Sequence, residues 1–175
     1  MKSLRSMLFV VLMSLSVVAS SQTEGPKSEA QRSFDYLKSL AGSWEGYLTT
    51  FPQADTKTEL MHATLRVTSM GTALVHEMRG DGPDDPITML YMDGDRLLLT
   101  HYCDAGNRPR MVGKMLPDGK TVEFDFLDVA GSTQHGHMQH AVFTVIDANH
   151  HTEDWTYLMP GDKPVRAHLE LQRTK

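Results

Sequence analysis

From Ser43 onward, apolar and polar residues alternate with a period of two, and clusters of turn-forming residues interrupt the alternation at short, regular intervals. Successive side chains leave a strand on opposite faces, so this pattern marks strands buried on one side. Ten strands are expected, over residues 43–50, 59–68, 73–79, 87–92, 96–103, 108–116, 121–129, 137–146, 152–158 and 165–172. Between them lie hairpin-type clusters such as Asp93-Gly94-Asp95, Pro117-Asp118-Gly119 and Asp147-Ala148-Asn149. Before the strands, Phe34, Leu37 and Leu40 fall at helical spacing, with Ser28 as a cap, which predicts one short helix over 30–40.

Strands joined mainly by hairpins form a meander, and closing the meander on itself removes its two raw edges. The expected fold is therefore all-β: a closed or nearly closed antiparallel up-and-down barrel of eight to ten strands, with the helix plugging one end. A barrel of that size either holds a small ligand or is filled by its own side chains.

The first residues read differently. Lys2 and Arg5 precede an apolar run from Met7 to Val18, followed by the small residues Ala19, Ser20 and Ser21. This is the layout of a secretory signal peptide, too short for a stable membrane span. The expected organisation is a signal peptide over 1–21, a leader over 22–29 and the barrel over 30–175, placing the protein in the periplasm or outside the cell. The signal takes two basic residues and no acidic one, leaving 15 basic against 22 acidic and a formal charge of −7. A chain so acidic, with scattered cations, lacks the basic stripe of a nucleic-acid binder. The single cysteine, Cys103, has no partner for an internal disulfide and is expected to be a buried small hydrophobe.

The segment from Leu37 to Gly46, with Gly42, Trp44 and Gly46 in order, resembles the G-x-W-x-G signature that opens the first strand of lipocalin-like (calycin) barrels. In those proteins the Trp closes the barrel floor. The order of later segments, from Gly71–Glu77 through Leu99–Cys103 and Ala105–Met111 to Gly136–Met138, resembles short secreted bacterial barrels of the DUF1579-like kind. This resemblance implies a fold and no activity. More distantly, Gly42–Gly46 followed by Phe51-Pro52 resembles nitrobindin-like haem barrels, whose last strand supplies a haem-ligating His. His168 is the corresponding residue, and the alternation of its strand points it outward.

No local triad signature, phosphate loop or dinucleotide fingerprint occurs, so no catalytic residue is assigned. The neighbouring acids Asp84-Asp85 and Glu153-Asp154 are read as solvated groups in or near turns. His135 and His137 are expected to share a strand face, where a third ligand from a neighbouring strand would complete a zinc site. The segment His101–Arg110 is the most distinctive. A tight turn at Gly106-Asn107 would set Cys103 beside Arg110 and Tyr102 beside Met111. With His101 and Arg110 inside, the cavity would hold a carboxylate; with Tyr102 and Met111 inside, it would be an apolar pocket, which the apolar count slightly favours. Phe124 and Trp155 supply wall material. The expected partner is a small hydrophobic or amphipathic molecule, contacted by Trp44, His101, Tyr102, Arg110, Met111, Phe124 and Trp155, with no cofactor assigned. Haem or zinc, and a small cavity enzyme of the isomerase or cyclase type, are the alternatives.

Overall fold

In the computed structural model, which describes residues 26–52 and 58–174, ten antiparallel strands close into one barrel. The strands are β1 Gly42–Phe51, β2 Glu59–Thr68, β3 Ala73–Arg79, β4 Ile87–Asp93, β5 Arg96–Tyr102, β6 Arg108–Met115, β7 Thr121–Ala130, β8 His137–Asp147, β9 His150–Met159 and β10 Lys163–Arg173. Each pairs with its sequence neighbours, and β1 closes the ring against β10, with Gly46 opposite Leu171. The alternation thus located every strand to within two residues at each end. The expected signal peptide and residues 22–25 of the leader lie outside the described residues, and no described helix is long and apolar enough to cross a membrane.

Helix α1 spans Glu29–Lys38, and the Ser28 side chain accepts a hydrogen bond from the Gln31 amide at its start. Phe34, Leu37 and Leu40 are buried against the barrel end formed by β4, β5 and β6. Trp44 completes this floor. Its indole Nε1 donates to the Leu40 carbonyl (2.8 Å), and the Arg173 guanidinium lies over its ring, 4.1 Å from the centroid. Gly46 is required at the β1–β10 closure, since a Cβ there would land on the Glu170 carbonyl.

Pairing parity sorts the side chains into two faces. Trp44, Ala63, Leu65, Leu74, His76, Leu90, Leu97, Leu99, Met111, Phe124, Phe143, Glu153, Trp155 and Leu169 all turn inward and are almost entirely buried. The β5–β6 register differs from the expected one. Met111 faces Leu99 and Arg110 faces Thr100, a shift of three residues. The connection is a loop over 103–107 instead of a two-residue turn, because Asn107 serves as a buried strut: its amide donates to the carbonyls of Ser132 (2.8 Å) and Gly136 (2.7 Å). An odd shift exchanges the faces of one strand relative to the other. His101 and Met111 therefore share the interior, while Tyr102 and Arg110 share the outside.

Candidate functional site: a polar column inside the barrel

Strand β9 sends His151, Glu153, Trp155 and Tyr157 inward, one above another from the helix-plugged floor to the opposite end. At the bottom, the His151 ring meets Trp44 edge-on, with centroids 4.2 Å apart. In the middle, Glu153 is fully buried. Its Oε1 accepts from His151 Nε2 (3.0 Å), and its Oε2 accepts from the Trp155 indole (3.0 Å). From the opposite wall, His76 Nε2 approaches Oε1 to 3.3 Å, an ion-pair distance without hydrogen-bond alignment. Burial pushes the Glu153 carboxyl up, but the His76 charge and the bonds from His151 outweigh it and hold the group well below the ordinary carboxylate range. The acid read as a solvated turn residue is thus fully enclosed: it is the fourth residue of β9, on its inward face.

Around the inner wall, His76, Thr88 and His101 sit side by side on β3, β4 and β5. His101 Nδ1 lies 2.9 Å from the Thr88 hydroxyl, and the ring sits 5.4 Å from Trp155. Burial, with His76 alongside, pushes the His101 imidazole down to about 4, so it is neutral at pH 7. Two further ring nitrogens, His76 Nδ1 and His151 Nδ1, are buried with no hydrogen-bond partner.

The fate of each anticipated residue follows from its face. Trp44, His101, Met111, Phe124 and Trp155 line or floor the interior. Tyr102 is exposed on the outer wall. Arg110 is also outside, donating through Nε (2.8 Å) and Nη2 (2.5 Å) to Asp128, so the carboxylate it clamps is one of the protein's own. His135 precedes β8 instead of sharing a strand face with His137, whose Nε2 lies 3.1 Å from Gln139 Oε1. Among the described residues, the side chains whose ligand atoms do converge are Glu123, Asp125 and His140, on the outer wall, where Lys114 already bridges the two carboxylates. His168 is on the outer face as its alternation required, with Nδ1 2.7 Å from Asp154 Oδ1. Cys103 is half-buried in the β5–β6 loop, and burial pushes its thiol up. His76, His151 and Glu153 were missed. The available signal was a charged residue in the same strand register as a large aromatic one, as Glu153 is with Trp155.

Similarity to solved structures agrees with this architecture. Rv2717c from M. tuberculosis superposes with a TM-score of 0.63 at 14% identity, covering 86% of this chain and all of that one. A DUF3598-family protein of unknown function from Nostoc punctiforme gives 0.58 at 13% identity over 79% of this chain, which spans about half (49%) of that protein. The S-type phycobiliprotein lyase CPES from Guillardia theta gives 0.52 at 11% identity, covering 86% of this chain and 99% of that one. At such identities the likeness is one of fold alone, a closed antiparallel barrel. No protein-family model matches the sequence, so the finer DUF1579 likeness is not supported, and a search of curated proteins gives no significant match.

Proposed function

We propose that the protein is an exported binding barrel that holds a small apolar or amphipathic molecule at the end opposite α1. The observation that carries this reading is a change of burial along one face. Inward-facing residues are sealed from Trp44 up to His101 and Trp155, yet those beyond, Leu48, Thr50, Phe126, Met138, Tyr157, Val165 and Ala167, are only half-buried. Half-buried apolar positions on a lumenal face form an apolar mouth with a polar floor, the usual anatomy of a small-molecule site. The likeness in fold to a protein named as a phycobiliprotein lyase is compatible with a barrel that handles small molecules. Export rests on the charged, apolar and small-residue order of the first 21 residues.

The test is native mass spectrometry of protein recovered from its own host, with amino-terminal sequencing of the mature form. A co-purifying small molecule, displaced by apolar probes that quench Trp155, supports the reading. A mature protein that carries no molecule and excludes every apolar probe overturns it. An uncleaved amino terminus on the host protein overturns the export part alone.

A further inference from the structure

We infer that His101 is a hydrogen-bond donor to the bound molecule and that the barrel selects apolar molecules carrying a neutral carbonyl oxygen over carboxylates of the same length. This deepens the binding reading above and rests on it.

His101 is the last inward residue of β5 and so borders the mouth. Its orientation is fixed by Thr88, a residue 1% exposed whose hydroxyl has His101 Nδ1 as its one hydrogen-bond partner among the described residues. If Nδ1 carried the proton, the buried Thr88 hydroxyl hydrogen would have no acceptor, which is unfavourable. Thr88 therefore donates, Nδ1 accepts, and the proton of the neutral ring sits on Nε2. Among the described residues Nε2 has no protein partner, which leaves one N–H without a protein acceptor on a ring 5.4 Å from Trp155. A protonated Nε2 is a donor and a poor metal ligand.

Charge then decides which acceptor it takes. Between Trp44 and Tyr157 no Lys or Arg occupies an inward position among the described residues; Arg173 lies beyond the Trp44 ring, and Lys163 is exposed at the rim. The acids Glu153 and Glu59 do take inward positions. Glu59 is spent on the amides of Asp81 and Gly82, and Glu153 on His151 and Trp155. An anionic head would enter a low-dielectric lumen that offers no Lys or Arg and in which His76 already faces the buried Glu153 carboxylate, which is unfavourable. A ketone, aldehyde or ester oxygen accepts the N–H without that penalty.

The probes are octan-2-one, octane and octanoate, titrated at pH 7 into wild type, His101→Phe and Thr88→Val and followed by tryptophan quenching and native mass spectrometry. One net hydrogen bond corresponds to a preference of roughly tenfold for the ketone over the alkane. Wild type is expected to show it and to bind octanoate more weakly than the ketone. His101→Phe keeps alkane binding and loses the preference, and Thr88→Val reduces it. Long-range proton–nitrogen spectra of the wild-type imidazole should show Nε2 protonated, which needs no variant to fold. Octanoate binding as tightly as the ketone, a preference that survives in His101→Phe, or a proton found on Nδ1 overturns the inference. Equal binding of ketone and alkane overturns it while leaving the cavity reading intact; no binding of any probe overturns both.

Discussion

Replacing Glu153 by Gln keeps the shape of the buried column and removes its charge. The carboxylate accepts on both oxygens, from His151 Nε2 and from the Trp155 indole, each at 3.0 Å, and it faces His76 Nε2 at 3.3 Å. An amide has one oxygen for these donors, so its NH2 must point at either the indole N–H or the imidazole N–H. Toward Trp155, two donors meet. Toward His151, the ring can shift its proton to Nδ1, but that nitrogen is buried with no partner, and the orphaned donor is merely moved. Either way one charge-assisted bond is lost, worth about 1.5–3 kcal/mol, and one buried donor is stranded at about 1–3 kcal/mol. Relief from burying a charge offsets part of this, and one-sided removal from a buried pair costs about 3–5 kcal/mol in general. The expected net loss is about 3 kcal/mol. At about 2–4 °C per kcal/mol for a chain of this size, the Tm should fall by about 9 °C. Urea melts followed by circular dichroism, with a calorimetric check on two-state behaviour, measure it. A variant within about 0.5 kcal/mol of wild type would show that the desolvation of Glu153 cancels its bonds, and the structural role given to the column would be wrong.

Three further outcomes follow from the same geometry. His101 is held neutral when folded, with its imidazole near 4, and takes up a proton near 6.5 when unfolded; the unfolded state binds more protons across that window. Stability should therefore fall as pH drops, by about 2 kcal/mol between pH 7 and pH 5. The Glu153 contribution, present above its ordinary value of 4.5, is lost in turn as pH falls below it. Urea midpoints across this range check both, and His101→Phe should flatten the upper part; an unchanged profile refutes the assignment. Asn107→Ala removes two amide bonds to the Ser132 and Gly136 carbonyls and should cost about 2 kcal/mol. Its hydrogen exchange should rise in residues 131–136, and protection equal to wild type there counts against the strut. Gly46→Ala sets a methyl on the Glu170 carbonyl, so β1 and β10 cannot close; a well-folded variant of wild-type stability would contradict the register of that seam.

The strands were legible because burial of one face imposes alternation on each strand separately, and the turns between them carry Gly, Asn, Asp and Pro. Trp44 was legible for the same local reason, with α1 immediately before it. The β5–β6 register was not, because Gly106-Asn107 has the composition of a two-residue turn while Asn107 is bonded to a loop 25 and 29 residues further along the chain. That long-range use of a turn residue stretched the loop and moved Arg110 outside, to a partner on β7 that strand parity alone does not reveal.

The polar column illustrates a different limit. Its polar members, His76, His151 and Glu153, taken singly, look like strand-end or solvated groups. Their meaning depends on closure: only when β1 meets β10 does the inward face of β9 look across the lumen at β3, setting Glu153 against His76. A buried charge is expensive enough that it persists only where several donors converge on it. An inward acid beside an inward Trp and two residues from an inward His was therefore evidence that the ring closes, before any partner on the far wall was identified. The physical content of the site is the same statement in reverse. Glu153 consumes the N–H groups of His151 and Trp155, and Thr88 fixes the proton of His101 on the nitrogen that no described protein group accepts from.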